Sequence, residues 1–370
     1  MLNSLSRLVI KIGSTLLVDD QQRLDRAWLD GLADDIDTLR QSGHQVLVVS
    51  SGAVAIGSQV LGINPRRSRL EELQAAAAAG QVQLVHAYQE SLGRHNIRAA
   101  QVLLTPDDTE VKRRFLNARG TLEKLLDHDV VPVINENDTV ATDELRYGDN
   151  DRLAARVAQT VMADGLILLS DVDGFYTADP RTNPDAEYLD VVEVITDEHL
   201  QMAGGSSSAL GSGGMNTKLL AARIATHAGC ATVIADGTIS RPLQALFQGA
   251  RHSVFPAAAS PAIARKQWLA GVLQVSGELR LDRGAAGALL NGNSLLPVGV
   301  VAVVGTFGRG DAVKLVDHEG IELGRGLAAY ARDEAMAIKG CHSEEIAGIL
   351  GYRDRSVMVH RDDMVLFERQ

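Results

Sequence analysis

The chain is poor in aromatic residues, which fill 4% of its 370 positions, so its core has to be assembled from Ala, Leu, Val and Ile. It has two cysteines, Cys230 and Cys341, far apart and without metal-ligand spacing, which argues against a disulfide framework and a zinc cluster. No run of 18 apolar residues occurs, and the opening MLNSLSRLVIKIG lacks the apolar stretch of a signal peptide. The expectation is a cytoplasmic chain with no membrane partner. Positive charge is in deficit, 36 Lys and Arg against 47 Asp and Glu, a net of −11. That disfavours nucleic acid and anionic membrane surfaces as general partners, but leaves room for a local positive pocket around a small anion. The GxxxxGK[ST], GxSxG and HExxH signatures are missing, as is GxGxxG after the first strand. The ten histidines are scattered, in the manner of core and surface positions.

What is present is an alternation. A chain of this length suggests two domains, or three. Short apolar runs at Arg7–Ile12, Gln45–Val49, Ala99–Leu104, Val130–Ile134 and Leu166–Leu169 read as buried strands. Helical patterns lie between them: Asp25–Ser42, with Trp28, Leu32, Ile36 and Leu39 on one face and Gly43 as a stop, then Leu70–Leu92, Phe115–Leu126 and Asp151–Met162. This predicts an α/β fold, a mostly parallel sheet with helices on both faces, and functional groups on the loops at the strands' carboxyl ends. Near 255–265 the pattern breaks at Phe255-Pro256-Ala257-Ala258-Ala259-Ser260-Pro261, a proline-flanked stretch of small residues that reads as a linker. Beyond it come short strands and glycine turns, clearest at Gly277–Leu281, Val300–Val304, Ala312–Val316 and Val357–His360. The expected division is a first domain over 1–255, a linker over 256–269 and a small β-rich domain over 270–370.

Five segments carry chemistry. Ser212-Gly213-Gly214-Met215-Asn216-Thr217-Lys218 places glycines and a first-turn lysine at the start of a helix that runs to His227, a setting suited to phosphate. A flexible glycine loop before an ordinary helix would look the same. Lys11-Ile12-Gly13-Ser14-Thr15 ends the first strand in a lysine able to reach a phosphoryl group, or simply solvated, followed by a turn that allows close backbone approach. Ser50-Ser51-Gly52-Ala53 opens a helix, where Ser51 and the following N–H groups can hold a carboxylate or merely cap. Asn135-Glu136-Asn137-Asp138 and Gly148-Asp149-Asn150-Asp151 gather acids and amides beside an apolar strand, offering acceptors for an ammonium and donors for a carboxylate, as an α-amino acid requires. Asp151 also fits a helix cap. Ser170-Asp171-Val172-Asp173-Gly174 ends a strand as a nucleotide-binding edge would. Asp171 and Asp173 could face a metal, with turn chemistry the plainer role for Asp173.

Taken in order, KIGST, SSGA, NEND, GDND, SDVDGFYTADPR and GSGGMNTK resemble the amino-acid kinase superfamily over essentially the whole chain, and within it the glutamate 5-kinase family. Residues 270–365 resemble a PUA domain, and Ser50 and Ser212 stand where that family commonly has threonine. The resemblance implies a three-layer α-β-α sandwich with a mostly parallel central sheet, plus a PUA-like barrel. It implies transfer of phosphate from ATP to the γ-carboxylate of L-glutamate, the first step of proline biosynthesis. It casts Lys11 and Lys218 as contacts to the transferring phosphate and Asp151 as the group that orients them. Ser51, Asp138 and Asn150 are then glutamate ligands, and Ser170, Asp171 and Ser212 through Lys218 nucleotide ligands. Magnesium is expected with the nucleotide, held by phosphate oxygens and water with no protein metal ligand. L-Proline as feedback inhibitor, a homo-oligomer (dimer or tetramer) and glutamyl phosphate reductase as a partner are further implications. RNA is not expected, because from Glu278 onward eleven Lys or Arg face fourteen Asp or Glu, a net of −3. The chemistry agrees with the resemblance. A γ-carboxylate, with a reference pKa of about 4.3, is already ionised at neutral pH and needs no general base. What must be overcome is repulsion between two anions.

Overall fold

A computed structural model describes residues 2–19, 21, 23–140, 150–204, 214–270, 275–352 and 355–367. The chain divides into two compact units, Met1–Glu110 with Asn117–Pro261, and Val111–Leu116 with Ala262–Gln370.

The larger unit begins with β1 (Arg7–Ile12), α1 (Ser14–Leu17), α2 (Arg26–Gln41), β2 (Gln45–Ser50), α3 (Ala53–Leu61) and α4 (Leu70–Gly93). It continues with β3 (Arg98–Leu104), α5 (Pro106–Glu110), α6 (Lys112–Asp127, whose first five residues fall in the smaller unit), β4 (Val130–Glu136), α7 (Asn150–Thr160) and β5 (Gly165–Ser170). It closes with β6 (Phe175–Tyr176), β7 (Tyr188–Leu189), α8 (Asp197–Met202), α9 (Met215–His227), β8 (Ala231–Asp236), α10 (Pro242–Phe247) and β9 (His252–Phe255). Seven strands form one sheet in the order β3-β4-β2-β1-β5-β8-β9, parallel throughout except for β9. Helices cover both faces, giving three layers.

The pleat of β1 sorts its residues between those layers. Leu8, Ile10 and Ile12 pack with α2, α3, α4 and α10, whereas Val9 packs with α7 and α9. Lys11 shares the parity of Val9, so it faces the α7 and α9 side. The ends of α2 show how local chemistry sets an element. Asp25 accepts from the Trp28 N–H at 2.9 Å as the N-cap. At the other end Gly43, at φ +90°, allows a Schellman turn in which Gly43 N donates to Arg40 O and His44 N to Leu39 O.

Helices α3 and α4 touch through backbone. A Cβ on Gly57 would lie 1.7 Å from the Ala76 carbonyl oxygen, and one on Gly80 1.9 Å from that of Ala53. Gly80→Ala therefore loses stability even though alanine favours a helix by about 1 kcal/mol. Overpacking costs about 1–3 kcal/mol or more here, because backbone has to move. Urea melts of the variant and wild type measure the difference, and an unchanged midpoint would mean that the helices separate freely.

The smaller unit holds α11 (Pro261–Ala270), β10 (Gly277–Leu281), α12 (Arg283–Leu290), β11 (Val300–Gly305), β12 (Ala312–Val316), β13 (Glu322–Leu327), α13 (Arg332–Ile338), α14 (Ile346–Leu350) and β14 (Met364–Leu366). Its five strands order as β11-β10-β12-β13-β14, with only β10 and β12 parallel. Two sequence expectations change. The stretch read as a linker contains α11. Val357–His360 is not a strand, since it makes a single bridge, Val359 to Leu295, and the strand lies further on at β14. The apolar run there signals burial, with Met358 and Val359 both in the core, and burial is satisfied without a ladder.

Candidate active site

Three charged groups from distant parts of the chain meet at the carboxyl edge of the sheet. Asp151, in the first turn of α7, is fully buried. Its Oδ1 lies 2.6 Å from Lys11 Nζ, and its Oδ2 accepts from Lys218 Nζ at 3.0 Å. The lysines are 4% and 5% exposed, so neither is a solvated surface residue. Burial pushes the Asp151 carboxyl up, but the ammonium groups of Lys11 and Lys218 and their hydrogen bonds outweigh it and hold the group below the usual carboxylate range. The result is a pair of fixed positive charges around one fixed negative charge, a net of +1 with no histidine involved.

Lys218 is carried on the first turn of α9, whose N-cap is Gly214. Thr217 Oγ1 lies 2.7 Å from Gly214 O and 3.2 Å from Asp151 Oδ2, tying that turn to α7. Beside it opens a cleft of about 400 Å³ lined by Ser170 and Asp171 at the end of β5, by Gly214, Met215 and Lys218, and by the Tyr176–Arg181 segment among others. Asp171 is paired with Arg181 at 2.9 Å, and Asp173 accepts from Tyr176 OH at 2.7 Å. Both carboxylates thus have protein partners. Among the described residues no group of three or more His, Cys, Asp and Glu is placed to hold a metal.

On the other side lies a chain of amides. Asn150 Nδ2 donates toward Ser50 O at 2.7 Å, Ser51 Oγ at 2.9 Å and Asn135 Oδ1 at 3.0 Å. Asn135 Oδ1 also accepts from Glu136 N, and its Nδ2 donates to Gln81 Oε1 at 2.9 Å. Ser50 Oγ is 3.0 Å from the hydroxyl of fully buried Tyr88, whose ionisation burial pushes far up. Ser51 follows β2 and is anchored by its N–H to Ile12 O. Gly52 then turns the chain at φ +98°, a left-handed conformation suited to glycine, and α3 begins. Asp138 is half-buried in the turn after β4.

The structure therefore gathers Lys11, Asp151 and Lys218 in one cluster, Ser51 and Asn150 in a second, and Ser170, Asp171, Gly214, Met215 and Lys218 around the cleft. Asn216 sits on the first turn of α9, and Ser212, Gly213, Gly148 and Asp149 lie outside the described residues. Asn135 and Glu136 close β4 and do not belong to the loop that the sequence suggested. Two polar groups near Asn150 escaped the sequence reading of the site, Gln81 and Tyr88 on α4, joined to it through Asn135 and Ser50. The available signal was two polar residues seven apart on the same stripe of a helix as Leu84, two turns that the Ala-rich composition hid.

The chain matches the amino acid kinase family over residues 6–236 and the PUA domain over residues 277–350. It is 54% identical over 360 residues to a protein of Agrobacterium fabrum called glutamate 5-kinase, covering 97% of this chain and 92% of that one. It is 55% identical over 368 residues to the glutamate 5-kinase of Allorhizobium ampelinum, with 100% and 94% coverage. It is 55% identical over 361 residues to that of Paramagnetospirillum magneticum, with 97% coverage of both.

Proposed function

The chain belongs to the amino acid kinase family, with glutamate 5-kinases as full-length relatives, and on that premise we propose how its residues divide the work. The reaction is the ATP-dependent phosphorylation of the γ-carboxylate of L-glutamate to L-glutamyl 5-phosphate, the first step of proline biosynthesis. The observation that carries the assignment of roles is the buried Asp151 held between two buried lysines, with a nucleotide-sized cleft on one side and an amide network on the other.

The γ-carboxylate arrives ionised, so the site has no proton to remove. Its task is to bring two anions together and to stabilise the charge spread over the transferring phosphoryl oxygens. Lys11 and Lys218 supply fixed positive charge there, and Asp151 holds both ammonium groups at a set distance before either ligand binds. Ser170, Asp171 and the Ser212–Lys218 segment receive the nucleotide. Magnesium enters as part of the nucleotide substrate, held by phosphate oxygens and water, in keeping with two aspartates already engaged by Arg181 and Tyr176. Ser51, Asp138 and Asn150 receive glutamate.

ATP-dependent formation of γ-glutamyl hydroxamate from L-glutamate and hydroxylamine tests the reaction. Hydroxamate from L-glutamate but not from N-acetylglutamate or aspartate is the expected result, and the reverse preference would overturn the acceptor assignment.

L-Proline is proposed as a feedback inhibitor competing for the same site, since it keeps an α-carboxylate and a cationic nitrogen but has no γ-carboxylate to phosphorylate. Asp138→Ala then weakens glutamate and proline together, by roughly tenfold or more for loss of a charged partner, and leaves ATP nearly untouched. Calorimetric titrations of each ligand, with a non-hydrolysable ATP analogue for the nucleotide, would show it. An equal loss for all three would make Asp138 structural.

The remaining proposals rest on chemistry and on the relatives. Acyl phosphates hydrolyse readily, which favours passage of the product to glutamyl phosphate reductase. A homo-oligomer, dimer or tetramer, is proposed, as are a kinase domain over 1–255 and a PUA-like domain over 270–370. Among the described residues no helix is long and apolar enough to cross a membrane, and the cytoplasm is the proposed compartment. RNA has no part in this reading.

A further inference from the structure

Two backbone groups fix the orientation of every amide in the network. The Ser50 carbonyl can only accept, so Asn150 must turn its NH2 toward it. The Glu136 N–H can only donate, so Asn135 must turn its carbonyl oxygen toward it. Asn135 Nδ2 is then aimed at Gln81, which must answer with Oε1. The orientation of Gln81 follows without appeal to its own surroundings, and it leaves the Gln81 NH2 turned away from Asn135. Gln81 is 7% exposed, and its Nε2 has no hydrogen-bond partner among the described residues. A buried amide donor left unmade costs about 1–3 kcal/mol and calls for a reason.

Position suggests one. Gly80, the preceding residue, packs against the first turn of α3, at the Ala53 carbonyl and the Gly57 N–H. Gln81 follows Gly80 on α4 and is joined to Asn150 and Ser51 through Asn135, whose Nδ2 meets Gln81 and whose Oδ1 meets Asn150. The γ-carboxylate of the acceptor has to lie toward Lys11 and Lys218 on Asp151, and Gln81 is the end of the amide chain farthest from Asp151 in hydrogen-bond steps, which leaves the α-carboxylate for the Gln81 end.

We propose that Gln81 is a substrate-binding residue whose Nε2 donates a hydrogen bond to the α-carboxylate of L-glutamate. This rests on the acceptor assignment made above. Gln81 has two tasks on one side chain. Oε1 holds Asn135, and through it Asn150, while Nε2 meets the ligand. The carboxylate satisfies a buried donor that the protein leaves without a partner, and the fixed amide chain prevents Gln81 from turning its oxygen to the ligand instead.

Gln81→Glu separates the two tasks, because it keeps the acceptor for Asn135 and replaces the donor by a second carboxylate oxygen. With wild type and variant assayed by hydroxamate formation, the expected result is a KM for L-glutamate raised about tenfold or more. The KM for ATP should be unchanged, while the melting temperature falls because the new carboxylate is buried. A carboxyl that takes up a proton regains an O–H donor, so the ratio of variant to wild-type kcat/KM for glutamate rises as pH falls from 8 to 6. Gln81→Met, with neither donor nor titration, raises KM without that pH dependence. If wild type itself forms no hydroxamate from L-glutamate, the function assignment fails. If wild type is active and Gln81→Glu has a normal KM for glutamate, or raises the KM values for both substrates together, the proposal is overturned while the function stands.

Discussion

Lys218→Ala lowers kcat roughly 10²–10³-fold, the usual effect of removing one preorganised charge contact to a transition state, and raises the KM for glutamate far less. The reason is geometric. Lys218 is buried on the first turn of α9 and held by Asp151, so its ammonium is already desolvated and aimed when the substrates arrive. No lysine elsewhere in the cluster can take its place, since Lys11 is fixed to the other oxygen of the same carboxylate. Steady-state kinetics with each substrate varied in turn will separate the two parameters. A variant with near-normal kcat would remove Lys218 from the chemistry altogether.

Asp151→Asn should be worse, because it strikes stability as well as rate. The substitution leaves two nearly buried ammonium groups without their carboxylate, and breaking a buried pair in this way costs about 3–5 kcal/mol. The pH dependence gives the mechanism away. In wild type the Asp151 carboxyl lies below its unfolded value of about 3.9. Its stabilising contribution is therefore complete above that value and is lost as pH falls through the lower folded pKa. The variant lacks that contribution at every pH, so its deficit is full above about 3.9 and shrinks in acid. The gap in melting temperature between wild type and variant should hold from pH 7 to pH 5 and narrow as pH falls below about 3.9. A constant gap would point to a packing defect instead.

Much of this arrangement was legible beforehand, for physical reasons that can be named. Strands β1, β2, β4 and β5 are buried on both faces, so they read as unbroken apolar runs, and the polar residues that end those runs mark the sheet's carboxyl edge. Lys11, Ser51 and Ser170 were found in that way. The pairing of Asp151 with both lysines was not available from spacing, because neither lysine is near it in sequence. It came from the family resemblance, and the coordinates supply the distances. Gln81 and Tyr88 stayed hidden because a helix packed against a sheet edge can bury a polar stripe, and composition alone does not report which side faces inward. At Val357–His360 the pattern identified burial correctly and pairing wrongly, since one bridge and a core position suffice there.

The pleat of β1 makes the side on which Lys11 meets Asp151 a matter of counting. Sidedness along a strand has only two values, so deleting one residue between Arg7 and Lys11 would swing the ammonium through the sheet into the layer of Leu8, Ile10 and Trp28, where no carboxylate of the cluster waits. Deleting two would restore the side but withdraw the charge by one strand repeat, about 6.6 Å, from Asp151. In this stretch of five residues length is as constrained as identity, and a frame-preserving indel is expected to be as damaging as replacing Lys11 itself.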